Sequence, residues 1–140
     1  FPGEREADLA ELLQFVEEAE FERLGVFKYS EEEGTAAARM PGKVSEQDKE
    51  RRWQEVMDLQ STISRKKNEA LIGSIQRVMI DEVDLDSHKA SGRTQAHAPE
   101  VDGTVYVEGL AGETTVCGEM VDVRITGALD YDLIGEIINA

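Results

Sequence analysis

The side chains best equipped for chemistry in this sequence are carboxylates set close together: Asp81-Glu82-Val83-Asp84 and Asp130-Tyr131-Asp132, with Glu100 and Asp102 between the two groups. Two carboxyl groups sharing one environment can divide into an acid and a base. Left ionised, the same groups make a surface that draws cationic partners. With thirty acidic residues in 140, such pairs are expected by chance, so solvated strand ends and turns are favoured over acid–base catalysis. Other reactive side chains are sparse. His88 and His97 stand alone, and the single cysteine, Cys117, cannot supply the three or four thiolates of an iron–sulfur cluster. Cys117 lies among Val116, Met120 and Val121, which predicts a buried structural thiol rather than a reactive one. No phosphate-binding loop, nucleophile elbow or zinc-ligand spacing occurs. No catalytic, cofactor-binding or metal residue is therefore assigned. Arg65-Lys66-Lys67, the one strongly basic cluster, reads as a solvated helix face near a C-terminus, where the dipole favours cations, in preference to an RNA contact.

Charge is the most informative global property. Thirty acidic against fifteen basic residues give a formal −15, a surface that repels phosphate backbones and attracts basic partners. A hydrophobic fraction of 40% supports a core. No apolar run approaches the roughly 18 residues that span a bilayer. The opening Phe1-Pro2-Gly3-Glu4 carries neither an initiator Met nor a signal-peptide pattern and reads as the interior of a longer protein. One cysteine permits no intrachain disulfide and suits a reducing cytosol, so a cytoplasmic location is expected.

Three blocks position these residues. In residues 1–44, Leu9, Leu12, Leu13, Val16 and Ala19 recur at helical spacing, and a β-like run over residues 24–29 follows, one α/β unit whose sheet must be completed elsewhere. An Ala-rich loop ends at Pro41-Gly42. In residues 45–71, Ser45 with Asp48 marks a helix start, and no Pro or Gly interrupts before Gly73. Trp53, Val56, Met57 and Ile63 draw the apolar stripe of this connecting helix. Residues 72–140 change character: β-rich runs at 74–83, 92–96, 104–108, 119–127 and 131–138 are separated by turn signals such as Asp102-Gly103. Alternation along Val121-Asp122-Val123-Arg124-Ile125-Thr126 is that of a half-buried strand. The expected fold is α+β, with a small five-stranded, OB-like antiparallel barrel at its C-terminal end. This block holds thirteen acids against four bases, −9 by itself, with two Tyr and no Phe or Trp. OB-like barrels that bind nucleic acid use positive grooves and aromatic platforms, so this one has the wrong sign.

Phe1-Pro2-Gly3-Glu4, Val26-Phe27-Lys28-Tyr29-Ser30 and Glu33-Gly34-Thr35 resemble the last part of a radical S-adenosylmethionine partial TIM barrel in the methylthiotransferase family. The C-terminal block resembles the TRAM domain that closes those enzymes. Three stretches carry this likeness: Ile80-Asp81-Glu82-Val83-Asp84; Gly92-Arg93-Thr94 running on to Ala98-Pro99-Glu100-Val101-Asp102-Gly103-Thr104-Val105-Tyr106; and Asp130-Tyr131-Asp132-Leu133-Ile134-Gly135. The match covers essentially the whole chain. It departs from the family at His97, where an Asp usually precedes Ala-Pro-Glu, and at Ala36, where a Pro commonly follows Gly-Thr.

The resemblance implies an intact enzyme with two 4Fe–4S clusters and S-adenosylmethionine, all held outside this chain, so the fragment binds no cofactor and is inactive alone. Within the family, the branch that methylthiolates the β-carbon of an aspartate in small-subunit ribosomal protein twelve fits best. The implied partner is that basic protein, with neither nucleic acid nor membrane expected, and the turn and strand-end acids Glu100, Asp102, Asp130 and Asp132 of the acidic barrel are the candidates to meet it. The alternatives are the related transfer-RNA adenosine methylthiotransferase with an RNA-binding TRAM domain, and a non-enzymatic acidic OB-like binding module.

Overall fold

A computed structural model describes residues 1–98, 102–109 and 116–138. Glu100 and the Pro99 and Val101 of the same motif lie outside the described residues. The elements run α1 (Glu6–Ala19), a single 3-10 turn (Ala37–Arg39), α2 (Glu46–Ala70), β1 (Ile75–Asp84), β2 (Lys89–Thr94), β3 (Val105–Glu108), β4 (Met120–Ala128) and β5 (Leu133–Ile137). The chain divides into two compact units, Phe1–Ile63 and Ser64–Ala140, with the division falling inside α2.

In the first unit, α1 spans the predicted residues and buries Leu9 and Val16. It ends at Glu20, whose left-handed φ of 45° turns the chain while its N–H closes on the Val16 carbonyl at 3.1 Å. Ser45 begins α2 as its spacing predicts: its hydroxyl accepts from the Asp48 N–H at 3.1 Å and donates to the Asp48 carboxylate at 2.6 Å. Val56 and Ile63 from the predicted stripe pack with Leu9 and Val16, joined by Leu13, Leu24, Val26 and Leu59.

The β-like run at residues 24–29 forms no strand. Its backbone has no neighbouring strand among the described residues, and α2 side chains meet two of its carbonyls instead. Trp53 Nε1 donates to Val26 O at 2.9 Å and Lys49 Nζ to Tyr29 O at 3.0 Å, while Gln60 Nε2 holds Phe21 O, just before the run, at 2.8 Å. Positions 49, 53 and 60 share one helix face, so α2 presents donors at helical spacing to an extended segment.

The second unit is a closed barrel in the order β1-β2-β3-β5-β4, antiparallel except for the parallel β3–β5 pair. This is the five-stranded OB arrangement, as expected. Val78, Ile80, Ala90, Val105, Val107, Val123, Ile125 and Leu133 fill the interior. β4 keeps the alternation read from sequence, with Val123 and Ile125 inward and Asp122, Arg124 and Thr126 outward. Register shifts at Ile80/Glu82 and Ile125/Gly127 bend the two long strands so that the sheet closes. β2 begins three residues earlier than its β-former pattern suggests. Asp84 caps the connecting turn, its carboxylate accepting from Asp86 N (3.1 Å), Ser87 N (3.3 Å) and Ser87 Oγ (2.6 Å), and this tight hairpin pairs Asp84 with Lys89. Gly135 faces inward where β4 crosses close by. A Cβ there would collide with Val123 Cγ1 and lie 2.7 Å from the Arg124 carbonyl oxygen.

Candidate recognition surface of the barrel

Asp102 Oδ2 accepts from Ala98 N at 2.7 Å, tying residue 102 back to residue 98. Asp132 Oδ1 accepts from Thr104 N at 2.8 Å, and Thr104 O accepts from Leu133 N at 2.9 Å, which stitches the entry of β3 to that of β5. Gly103 makes this approach feasible, because any Cβ there would strike the Tyr131 carbonyl oxygen. Asp130 sits in the β4–β5 turn, 3.4 Å from Arg65 Nη1, and Arg65 also holds Glu69 at 3.1 Å. The pull of Glu69 and Asp130 raises the Arg65 pKa above its ordinary value. The buried Asn68 anchors the same turn by donating to Leu129 O at 3.1 Å and Asp130 O at 3.4 Å.

The structure thus brings Asp102, Asp130 and Asp132 to neighbouring loops but gives each an intramolecular task. Asn68, with Gln60 and Ser64 also buried, was missed as a positioning residue. Polar residues spaced by four along a helix stripe were its only sequence signal.

A second acidic surface lies on the outer face of the sheet. A groove of about 520 Å³ crosses β1, β2 and β3, bordered by Asp81, Glu82, Asp84, Ser91, Tyr106 and Cys117 among others. The register sets Glu82 beside Ser91, and Ser91 beside Tyr106. Tyr106 points outward because it alternates with the buried Val105 and Val107. Arg93 pairs with Asp81, and Lys89 pairs with Glu108 at 3.2 Å. The Asp84 carboxyl is held below its usual range, first by the Ser87 hydroxyl and then by the Ser87 N–H.

Cys117 is exposed, which corrects the expected buried thiol. It occupies a turn with Gly118 at φ 86°, outside the strand alternation that would have turned it inward, and Val116 and Met120 beside it are exposed too. Among the described residues no three His, Cys, Asp or Glu are grouped to hold a metal ion, and no helix is long and apolar enough to cross a membrane.

The first unit carries a cleft of about 660 Å³ lined by Leu9, Leu12, Val26, Phe27, Tyr29 and Trp53 among others. Phe27 is 93% exposed at its edge. Near it, Glu6 Oε1 lies 2.7 Å from both Arg51 and Arg52, whose hydrogen bonds, that of Arg52 foremost, lower the Glu6 pKa.

An acidic five-stranded barrel in OB order, entered from a long helix, defines a class, and residues 72–138 match the TRAM domain family. The barrel is a TRAM domain. Over its whole length the chain is similar to proteins named ribosomal protein uS12 methylthiotransferase RimO. It is 46% identical to that of Natranaerobius thermophilus over 140 residues, covering 99% of this chain and 31% of the relative. Against the Geobacter sulfurreducens protein the identity is 48% over 140 residues, with 99% and 31% covered. Against that of a Roseiflexus strain it is 44% over 143 residues, with 100% and 29% covered. The chain is similar to these proteins along its full length and spans about three tenths of the length of the relatives it matches.

Proposed function

We propose that this chain is the C-terminal, substrate-recognising part of a radical S-adenosylmethionine enzyme that adds a methylthio group to an aspartate of ribosomal protein uS12. The observation that carries the proposal is identity of 44–48% along the full chain to proteins bearing that name. The −9 charge of residues 72–140 supports a protein rather than an RNA partner. A TRAM barrel that neutralised phosphates would need surplus bases, whereas opposite potentials speed encounter with a lysine- and arginine-rich protein. The transfer-RNA enzyme and the free-standing adaptor are not favoured. In the intact enzyme, two 4Fe–4S clusters and S-adenosylmethionine would supply the sulfur and radical chemistry. One cysteine cannot supply the three or four thiolates of a cluster, so the cluster ligands would come from outside this chain. The task of this chain's residues is to bind and orient the substrate, in the cytoplasm.

Residues 1–44 are taken as the end of the catalytic barrel, 45–71 as the connecting helix and 72–140 as the TRAM domain. Amide exchange tests this division: residues 6–29 should exchange faster than the barrel, and equal protection of both would overturn it. The recognition role is tested by titrating the chain with uS12 and with transfer RNA across salt concentrations. Salt-sensitive binding of uS12, tighter than that of RNA, is expected. Tighter RNA binding, or uS12 binding indifferent to salt, would refute the role.

A further inference from the structure

We propose that the groove over β1, β2 and β3 is a docking slot for an arginine side chain of a basic protein segment, with the Tyr106 ring as its platform and Glu82 as its counter-charge. The inference rests on the reading of the barrel as a recogniser of a basic protein, and it moves the contact from the loops of Asp102, Asp130 and Asp132 to the sheet face.

Tyr106 is 46% exposed on a strand whose other face is the barrel core, so its ring lies open to solvent on an unpartnered sheet surface. Glu82, Ser91 and Tyr106 sit side by side on three successive strands. With strands about 4.8 Å apart, Glu82 and Tyr106 stand on the order of 10 Å from each other across the small Ser91. An arginine can bridge that gap with the Glu82 side chain reaching toward it, its guanidinium lying on the ring and its N–H fork turned to the carboxylate.

The charges choose the occupant. Asp81, Glu82 and Asp84 border the groove against one base, Lys89. Lys89 is engaged by Glu108 and the nearby Arg93 by Asp81, so neither base is left to hold an anion. The Glu82 carboxylate makes no ion pair or side-chain hydrogen bond among the described residues, whereas the loop acids are committed to backbone N–H groups or to Arg65. A nucleic-acid base would stack on Tyr106 equally well, but its phosphates would meet these carboxylates.

The test uses the isotope-labelled 140-residue chain and a short peptide, acetyl-Gly-Arg-Gly-Arg-Gly-amide, with its citrulline and lysine counterparts. The arginine peptide should shift the amides of Glu82, Ser91 and Tyr106, the lysine peptide should do so more weakly, and the neutral citrulline peptide should not. Y106L should weaken the arginine peptide about three- to tenfold while Y106F retains binding. E82Q should weaken it by about two- to fivefold and flatten its salt dependence. Shifts confined to the loops of Asp102 and Asp130, or equal binding by Y106L and the parent, would overturn the slot. So would tighter binding of an oligouridylate at the same amides. Titration with uS12 separates the two readings. If uS12 binds the parent and Y106L alike, the slot fails and the recognition role stands. If uS12 does not bind while the arginine peptide still occupies the groove, the slot stands and the recognition role fails.

Discussion

Replacing Asp132 with alanine separates a structural acid from a recognition acid. Asp132 Oδ1 is the acceptor for Thr104 N at 2.8 Å, at the point where Leu133 N closes on Thr104 O. Hydrogen bonds to a carboxylate contribute about 1.5–3 kcal/mol, and partial exposure of Asp132 places the expected loss near the lower end, about 1.5–2 kcal/mol. For a unit the size of Ser64–Ala140, each kcal/mol shifts Tm by about 4–8 °C, so the variant should melt roughly 6–16 °C lower. Asp132→Asn keeps an acceptor oxygen and should recover more than half of that loss. Thermal melts followed by circular dichroism give the stability. Titration with uS12, well below both transitions, gives the affinity per folded molecule, which should change less than twofold. A melting point within about 2 °C of the parent, together with a clear loss of affinity, would refute the structural assignment and return Asp132 to the recognition surface.

Three further outcomes follow from the packing and the titration of this fold. Gly135→Ala places a methyl group against Val123 Cγ1 and the Arg124 carbonyl, and should cost about 1–3 kcal/mol in denaturant melts, so an unchanged midpoint would show that β4 yields freely. Trp53→Phe keeps an aromatic ring, smaller than the indole, but removes the donor to Val26 O, a loss of about 1 kcal/mol or more that should appear as faster proteolysis within residues 21–30, and an unaltered cleavage rate would count against the side-chain ladder. The depressed pKa of Asp84 means that its turn is stabilised above the ordinary carboxylate range and loses that stabilisation only as pH falls through the lower, folded-state pKa. The amide shifts of Asp86 and Ser87 should therefore titrate at a lower midpoint than an ordinary aspartate, and an ordinary midpoint would show that the Ser87 contacts do not persist in solution.

The legible parts of this fold were those governed by short-range pattern. Leu9 and Val16 fall on the buried face that their spacing predicts, Ser45 caps the helix it precedes, and Val123 and Ile125 point inward as alternation requires. The failures share a different cause. Residues 24–29 have strand composition, but a strand needs a partner, and local sequence does not say whether a neighbouring strand or the Trp53 and Lys49 side chains will meet its carbonyls. Cys117 has apolar neighbours in sequence, but the positive φ of Gly118 makes the segment a turn, so alternation ceases to govern which way it faces.

The acids show most clearly where such reading ends. Asp102, Asp132 and Glu82 are one residue class, and proximity to Gly in Asp102-Gly103 draws attention to the loops. Gly103 is there because Tyr131 approaches its backbone, and the same approach puts Asp132 within 2.8 Å of the Thr104 N–H. The feature that flags these acids therefore also commits them to the fold. Glu82 stands out in sequence only as one of a run of carboxylates favoured as a solvated strand end. It becomes a candidate only when the register lays β1, β2 and β3 side by side and places the exposed Tyr106 two strands away. An acid engaged in folding gains less from a cationic partner, because part of its acceptor capacity is used and its charge is partly met. A carboxylate without a partner, beside an open ring, retains its full attraction, and the recognition surface should be sought there.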